Sequence, residues 1–152
     1  MAWHNRGVPA TLASTLAERL GRALSRREEI LEGYVFGSVA RNESKPHSDL
    51  DVAVYIDESA LKPEPFGYAA ELSSSLMREL GHSSVDVVVL NDAAPLLYHR
   101  VLRDGIRVVS RDLKATTTRE GDALSRYCDY VPQLRKIDAA HAARIRGAGF
   151  GR

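Results

Sequence analysis

Phe36-Gly37-Ser38-Val39-Ala40-Arg41, followed by Ser48-Asp49-Leu50-Asp51-Val52-Ala53-Val54, carries the pattern that decides the fold. Tyr34-Val35-Phe36 reads as the end of an apolar strand that stops at Gly37-Ser38, and Leu50 to Ile56 as a longer, β-branched strand. Between them, Val39 to His47 begins as a short helical turn and falls into a polar loop punctuated by Pro46.

Working outward, Pro9 marks a helix start, and Leu12, Leu16, Leu20 and Leu24 recur every four residues among charges, which predicts an inward-facing stripe. On the other side, Lys62-Pro63-Glu64-Pro65 breaks the chain before Tyr68 to Leu80. That segment sets Ala69, Leu72, Leu76 and Leu80 on one helical face and closes at Gly81. Val85 to Leu90 reads as a third strand, Ala93 to Arg103 as a helix stopped by Asp104-Gly105, and Ile106 to Val109 as a fourth strand. The segment from Asp112 to about Arg146 is mostly polar and helical in pattern, with Pro132 expected to bend or interrupt it. Gly147 to Arg152 should be loose.

Alternating strands and helices predict an α/β or α+β fold, a small mixed sheet with helices packed on one face. A single domain over 1–152 is expected, with an N-terminal helix at about 10–31, a core at about 32–110 and a C-terminal helical segment at about 112–146. Hydrophobic residues make up 44% and charged residues 27%, which excludes a disordered chain and an integral membrane protein. Lys plus Arg number 21 against 20 Asp plus Glu; a formal charge of +1 gives no footprint for a long nucleic acid. Cys128, the single cysteine, cannot form an internal disulfide. The N-terminus lacks a secretory apolar core, and no apolar stretch approaches the roughly 20 residues of a membrane span, so a cytoplasmic protein is expected.

The chemistry is concentrated in a few positions. Gly37 lets the backbone approach a ligand closely, and Ser38 stands where a strand gives way to a helix, so its hydroxyl and the first free amides face phosphate together. Asp49 and Asp51 lie two apart at a strand entry and point to the same face. Carboxylates side by side in an apolar strand repel unless a cation neutralises them. With oxygen ligands and no Cys or His cluster at metal spacing, Mg²⁺ is expected rather than Zn²⁺. Asp86, alone among Val85, Val87, Val88 and Val89, repeats the anomaly in a strand expected to be buried. If that strand pairs beside Asp51, a third carboxylate joins the cluster near the nucleophile, and two Mg²⁺ ions could serve an in-line displacement.

Gly37-Ser38, a ten-residue spacer, Asp49-Leu50-Asp51 and a later Asp86 resemble the DNA polymerase β-type nucleotidyltransferases. The likeness is greatest to the minimal nucleotidyltransferase (MNT, MntA-type) antitoxins of HEPN/MNT toxin–antitoxin pairs. It extends through Val85 to Asn91, Ala94-Pro95-Leu96 and Leu102 to Gly105, covering roughly Leu31 to Ser110. The resemblance implies a palm-like nucleotidyltransferase fold and an enzyme that, with Mg²⁺, transfers AMP from ATP to a tyrosine of a HEPN ribonuclease toxin and so silences it. It implies Asp49, Asp51 and Asp86 as catalytic metal ligands and Gly37, Ser38 and Arg41 as nucleotide contacts. Many relatives have Gly after the Ala-Arg pair; Asn42 stands there in this chain, and Asn tolerates the left-handed backbone that Gly would supply. The alternatives are transfer to a small hydroxylated molecule such as an aminoglycoside, or a non-catalytic module that masks a toxin by contact.

Residues outside the acidic set have plainer readings. Arg41 suits a triphosphate or a surface ion pair equally. Ser48 is read as ordering the turn before Asp49, and His47 as a solvated loop residue. Arg135 and His141 echo the Arg-x(4–6)-His motif of HEPN toxins, but a six-residue step sets them apart on a helix. Cys128 is read as a small buried hydrophobe, and Tyr127, Tyr130 and Val131 as core residues.

Overall fold

A computed structural model describes residues 12–43, 45 and 47–148, with side chains from Thr15 onward. The elements run α1 (Leu12–Ser25), β1 (Ile30–Phe36), α2 (Gly37–Ala40), β2 (Leu50–Ile56), α3 (Tyr68–Leu80), β3 (Val85–Val89), α4 (Pro95–Asp104), β4 (Ile106–Ser110) and α5 (Leu113–Ala148). The four strands form one mixed sheet in the order β3-β2-β1-β4, with β2 and β3 parallel and the other two pairings antiparallel. The parallel pair needs a crossover, which α3 supplies.

One face of the sheet rests on α1 and α3. Leu20, Ala23 and Leu24 of α1 meet Leu72, Leu76 and Leu80 of α3 over Val35, Leu50, Val52 and Val54. Each such leucine, fully buried, contributes about 2 kcal/mol. The expected stripe is therefore present; Leu16 packs half-buried against it, whereas the Leu12 side chain lies outside the described ones. The helix expected to reach about residue 31 stops at Ser25. Arg111, from just beyond β4, donates to the carbonyls of Ser25 at 3.0 Å and Arg27 at 2.6 Å, satisfying the helix end and the turn into β1.

Helices cover both faces of the sheet rather than the one expected, because Tyr34, Phe36 and Ala53 make the opposite face apolar enough to need a second, smaller cluster. Tyr34, Phe36 and Ala53 of the sheet pack there with Leu90, with Tyr98 and Val101 of α4, and with Ala123 of α5. It is joined by a polar latch. Glu32 is 0% exposed, and its carboxylate accepts from Arg119 of α5 and, at 2.9 Å, from the Tyr34 hydroxyl. Glu120 accepts from Tyr34 and from Arg107, each at 2.9 Å, and the Arg119 guanidinium lies 4.7 Å from the Tyr55 ring centroid. Burial, and then the Glu32 charge, push the Tyr34 phenol far above its usual range, so it remains a donor.

Three expectations for α5 need correction. The helix is not interrupted at Pro132 but runs through it to Ala148. Both Pro132 and Cys128 are exposed, so the Cys128 carbonyl that loses its helical donor can be hydrated. Cys128 is accordingly not the buried hydrophobe expected. Tyr127 is half-buried and stacks on His99 of α4, ring centroids 3.7 Å apart, rather than entering the core, and Tyr130 and Val131 are likewise half-buried. No helix among the described residues is long and apolar enough to cross a membrane.

The latch sets a stability prediction. Arg119→Ala leaves a buried carboxylate without its cation and should cost about 3 kcal/mol in urea unfolding. Removing both charges together, in Glu32→Met with Arg119→Met, should cost less than the single change.

Candidate active site

Backbone geometry at the end of β1 builds the site. Gly37 has φ +69°, a conformation that favours glycine, and an ideal Cβ there would lie 2.0 Å from Oδ2 of Asp51, so any side chain would have to displace that carboxylate. The β1–β2 register produces this contact by setting Phe36 opposite Asp51. After the single turn of α2, Asn42 takes φ +58°, the left-handed conformation expected of it. Ser48 orders the following turn as expected: its hydroxyl accepts from the Lys45 amide at 2.7 Å, and its own amide donates to the Lys45 carbonyl at 2.9 Å. His47, Arg135 and His141 are exposed.

Asp51 and Asp86 are direct partners in the parallel β2–β3 ladder. Their backbones are thus about 4.8 Å apart and their side chains leave the same face. Asp49 immediately precedes β2. Half-burial pushes the Asp51 carboxyl above the usual carboxylate range; the charges of Asp86 and then Asp49 push it further, against the opposing pull of Arg41. The three aspartates are therefore one electrostatic cluster centred on Asp51. Asp86 is exposed, not buried, because β3 is an edge strand whose residues beyond Val85 are exposed or half-exposed.

A cavity of about 430 Å³ opens beside the cluster, lined by Phe36, Gly37, Ser38, Arg41, Ser48, Asp49, Asp51 and Arg100. Five of the six residues singled out from the sequence thus share one concavity, and Asp86 adjoins it through Asp51 rather than lining it. Arg100 of α4 was not anticipated; no motif marks it, and only the packing of α4 against β1 and α2 brings it to the site. Arg41 is partly committed, with Nε 3.0 Å from Glu43 and Nη1 3.9 Å from Asp104.

The donor set fits a hard divalent ion. It consists of carboxylate oxygens, its central member is destabilised as an anion, and the atoms nearest to the space above Gly37 are those of Asp51. Among the described residues, no three His, Cys, Asp or Glu side chains form a ready-made metal cage. An open arrangement of this kind suits Mg²⁺, which keeps water and substrate phosphate oxygens in its shell.

Comparison with known proteins gives a consistent picture. Residues 18–114 match the family model described as Polymerase beta, Nucleotidyltransferase. A curated relative of Methanocaldococcus jannaschii, named "Putative protein adenylyltransferase", is 36% identical over 75 residues, 49% of this chain and 75% of its own. A solved structure described as a "putative minimal nucleotidyltransferase" is 35% identical with a TM-score of 0.51, over 65% of this chain and 98% of its own. A chain of the complex described as "tri-AMPylated Shewanella oneidensis HEPN toxin in complex with MNT antitoxin" has the same fold. It superposes with a TM-score of 0.64 at 20% identity, over 86% of this chain and 99% of its own.

Two outcomes test the site. Gly37→Ala should displace the Asp51 carboxylate and weaken Mg²⁺ affinity by roughly 10- to 100-fold, read by calorimetry. For Asp51, a carboxyl pKa raised in the fold means that the native state binds the proton more tightly than the unfolded one. Its contribution therefore favours the fold at low pH and is lost as pH rises through the folded value. Asp51→Asn should consequently raise the melting temperature of the metal-free protein at neutral pH, with the gain shrinking towards pH 4, and should remove stabilisation by Mg²⁺.

Proposed function

The chain belongs to the polymerase β-type nucleotidyltransferase family, and from that premise we propose that it is a Mg²⁺-dependent protein adenylyltransferase. Its reaction moves AMP from ATP to a tyrosine hydroxyl of a HEPN-type toxin and neutralises that toxin. The observation that carries the reading is the side-by-side placement of Asp51 and Asp86 next to the Gly37–Ser38 turn, with Asp49 beside them. The M. jannaschii relative's name and the AMPylated toxin in the S. oneidensis complex support a protein acceptor.

Asp49, Asp51 and Asp86 would hold Mg²⁺, which supplies neutralisation of the carboxylates and of the phosphate charge. The chain's own contribution is positional. Ser38 and the amides opened by the Gly37 turn orient the triphosphate in the cavity, at whose rim Arg41 is already engaged by Glu43. Asp86, exposed on the edge strand, is placed to take the proton of the incoming hydroxyl. The tyrosine oxygen then bonds to the α-phosphorus, the bond from that phosphorus to the bridging oxygen breaks, and pyrophosphate leaves.

Incubation with α-labelled ATP, Mg²⁺ and a HEPN-type toxin that binds this chain should label the toxin on tyrosine, while Asp49→Asn with Asp51→Asn should abolish labelling and neutralisation but not binding. Absence of label with the native triad would overturn the reading. Full neutralisation by the double variant would favour masking by contact, and turnover confined to small hydroxylated molecules would move the acceptor class.

A further inference from the structure

Two guanidinium groups line the cavity, and they differ in what they already hold. Arg41 is engaged by Glu43 at 3.0 Å and faces Asp104 at 3.9 Å, while Asp104 is itself bound by Arg103 at 2.8 Å. The Arg100 side chain is exposed and, among the described residues, makes no direct ion pair or hydrogen bond; Asp104, held below its usual carboxyl range first by Arg103, also feels the charges of Arg41 and Arg100. Its helix is nonetheless well fixed. Tyr98 and Val101 are buried on either side of it in sequence, α4 packs against α2 and α5, and Asp104 faces Arg41. An always-charged fork without a direct partner among the described residues is thus held on a rigid element at the wall of the cavity of about 430 Å³.

The sheet order gives that cavity a direction. Asp86 lies on the β3 flank of Asp51, whereas Phe36, Gly37 and Ser38 lie on the β1 flank. Asp86 is absent from the lining of the cavity that contains Arg100. An in-line displacement sets the attacking and leaving oxygens on opposite sides of the α-phosphorus. If the acceptor approaches over β3, the pyrophosphate departs over β1, where Arg100 stands.

We propose that Arg100, rather than Arg41, is the residue that binds the β- and γ-phosphates and stabilises the departing pyrophosphate. This rests on the nucleotidyl-transfer reading and assigns the leaving-group side of its site. In the transfer the acceptor oxygen forms its bond to the α-phosphorus, the bond to the bridging oxygen breaks, and the electron pair leaves on pyrophosphate. Arg100 keeps its proton throughout and answers the charge that develops there by a bidentate contact.

Binding is measured with Mg²⁺ and three probes: α,β-methylene-ATP, AMP and inorganic pyrophosphate. Arg100→Ala should weaken the triphosphate analogue and pyrophosphate by at least about 10-fold and leave AMP within about 2-fold, because AMP lacks the groups that Arg100 contacts. Arg100→Lys should recover part of the loss, having the charge without the fork, and Arg41→Ala should shift triphosphate affinity by less than about 3-fold. Equal weakening of AMP and the triphosphate would mean a merely structural role and would overturn the assignment, as would unchanged pyrophosphate binding or a larger loss in Arg41→Ala. If the unaltered protein binds neither the triphosphate analogue nor pyrophosphate, the nucleotidyl-transfer reading falls with it. If it binds both and Arg100→Ala changes nothing, only the assignment of Arg100 falls.

Discussion

Phe36 stands opposite Asp51 across the β1–β2 ladder, so the chain leaves the sheet at Gly37 directly against a carboxylate. On the other side of β2 the parallel register sets Asp86 beside the same Asp51. These pairings fix a negative group between a backbone turn and a second negative group, in a place where half-burial already disfavours charge. A one-residue slip of β2 against its neighbours would send Asp51 into the apolar cluster beneath α1 and α3. That penalty, together with the buried residues flanking Asp51, makes the register a property of the core as much as of the site. The core supplies the rigidity, and the acidic cluster is the local instability it supports.

The division of labour between the two sheet faces follows from alternation. Leu50, Val52 and Val54 point into the larger cluster, while Asp51, Ala53 and Tyr55 point the other way. A face that carries Asp51 and the wholly buried Glu32 cannot be covered by an apolar helix alone. Its cover is correspondingly mixed: α4 brings Tyr98 and Val101, and the first turns of α5 bring Arg119, Glu120 and Ala123. The first half of α5 is anchored by this chemistry; past Leu134 every described residue is exposed.

Much of this was legible in the sequence, for identifiable reasons. The apolar period of Leu72, Leu76 and Leu80 with Gly81 after it reproduces α3, and the β-branched run after Asp49 reproduces β2, because local pattern and tertiary burial agree there. Asn42 was legible because few residues other than glycine occupy positive φ readily. What escaped depends on tertiary placement. Asp86 was taken for a buried group because valines surround it in sequence, and sequence does not reveal that a strand lies at the edge. Pro132 was read as a bend or an interruption because local chemistry disfavours it, yet the helix continues, since an exposed carbonyl that water can reach makes the penalty tolerable. Arg100 carries no motif, since what distinguishes it is a place in the cavity wall, without a direct hydrogen-bond partner among the described residues, that only the fold reveals.

Arg100 also shows why the two faces cannot be treated separately. Its helix begins after the turn at Leu90–Asp92 and ends where the Gly105 backbone passes so close to Val101 that an added Cβ would come within 2.3 Å of the Val101 carbonyl. Between those ends α4 is held by Tyr98 and Val101 beneath and by α5 alongside, through the stacked His99 and Tyr127 rings. The position of α5 in turn depends on Arg119 reaching the buried Glu32. A contiguous series of packed groups therefore runs from a carboxylate inside the sheet to a guanidinium at the cavity wall. A site that must bring cations to phosphate within a fraction of an ångström needs support of this kind. The requirement gives a physical reason for a small sheet to bury a charged residue such as Glu32, which contributes little to stability by itself: a directional ion pair fixes helix position where an apolar contact could slide.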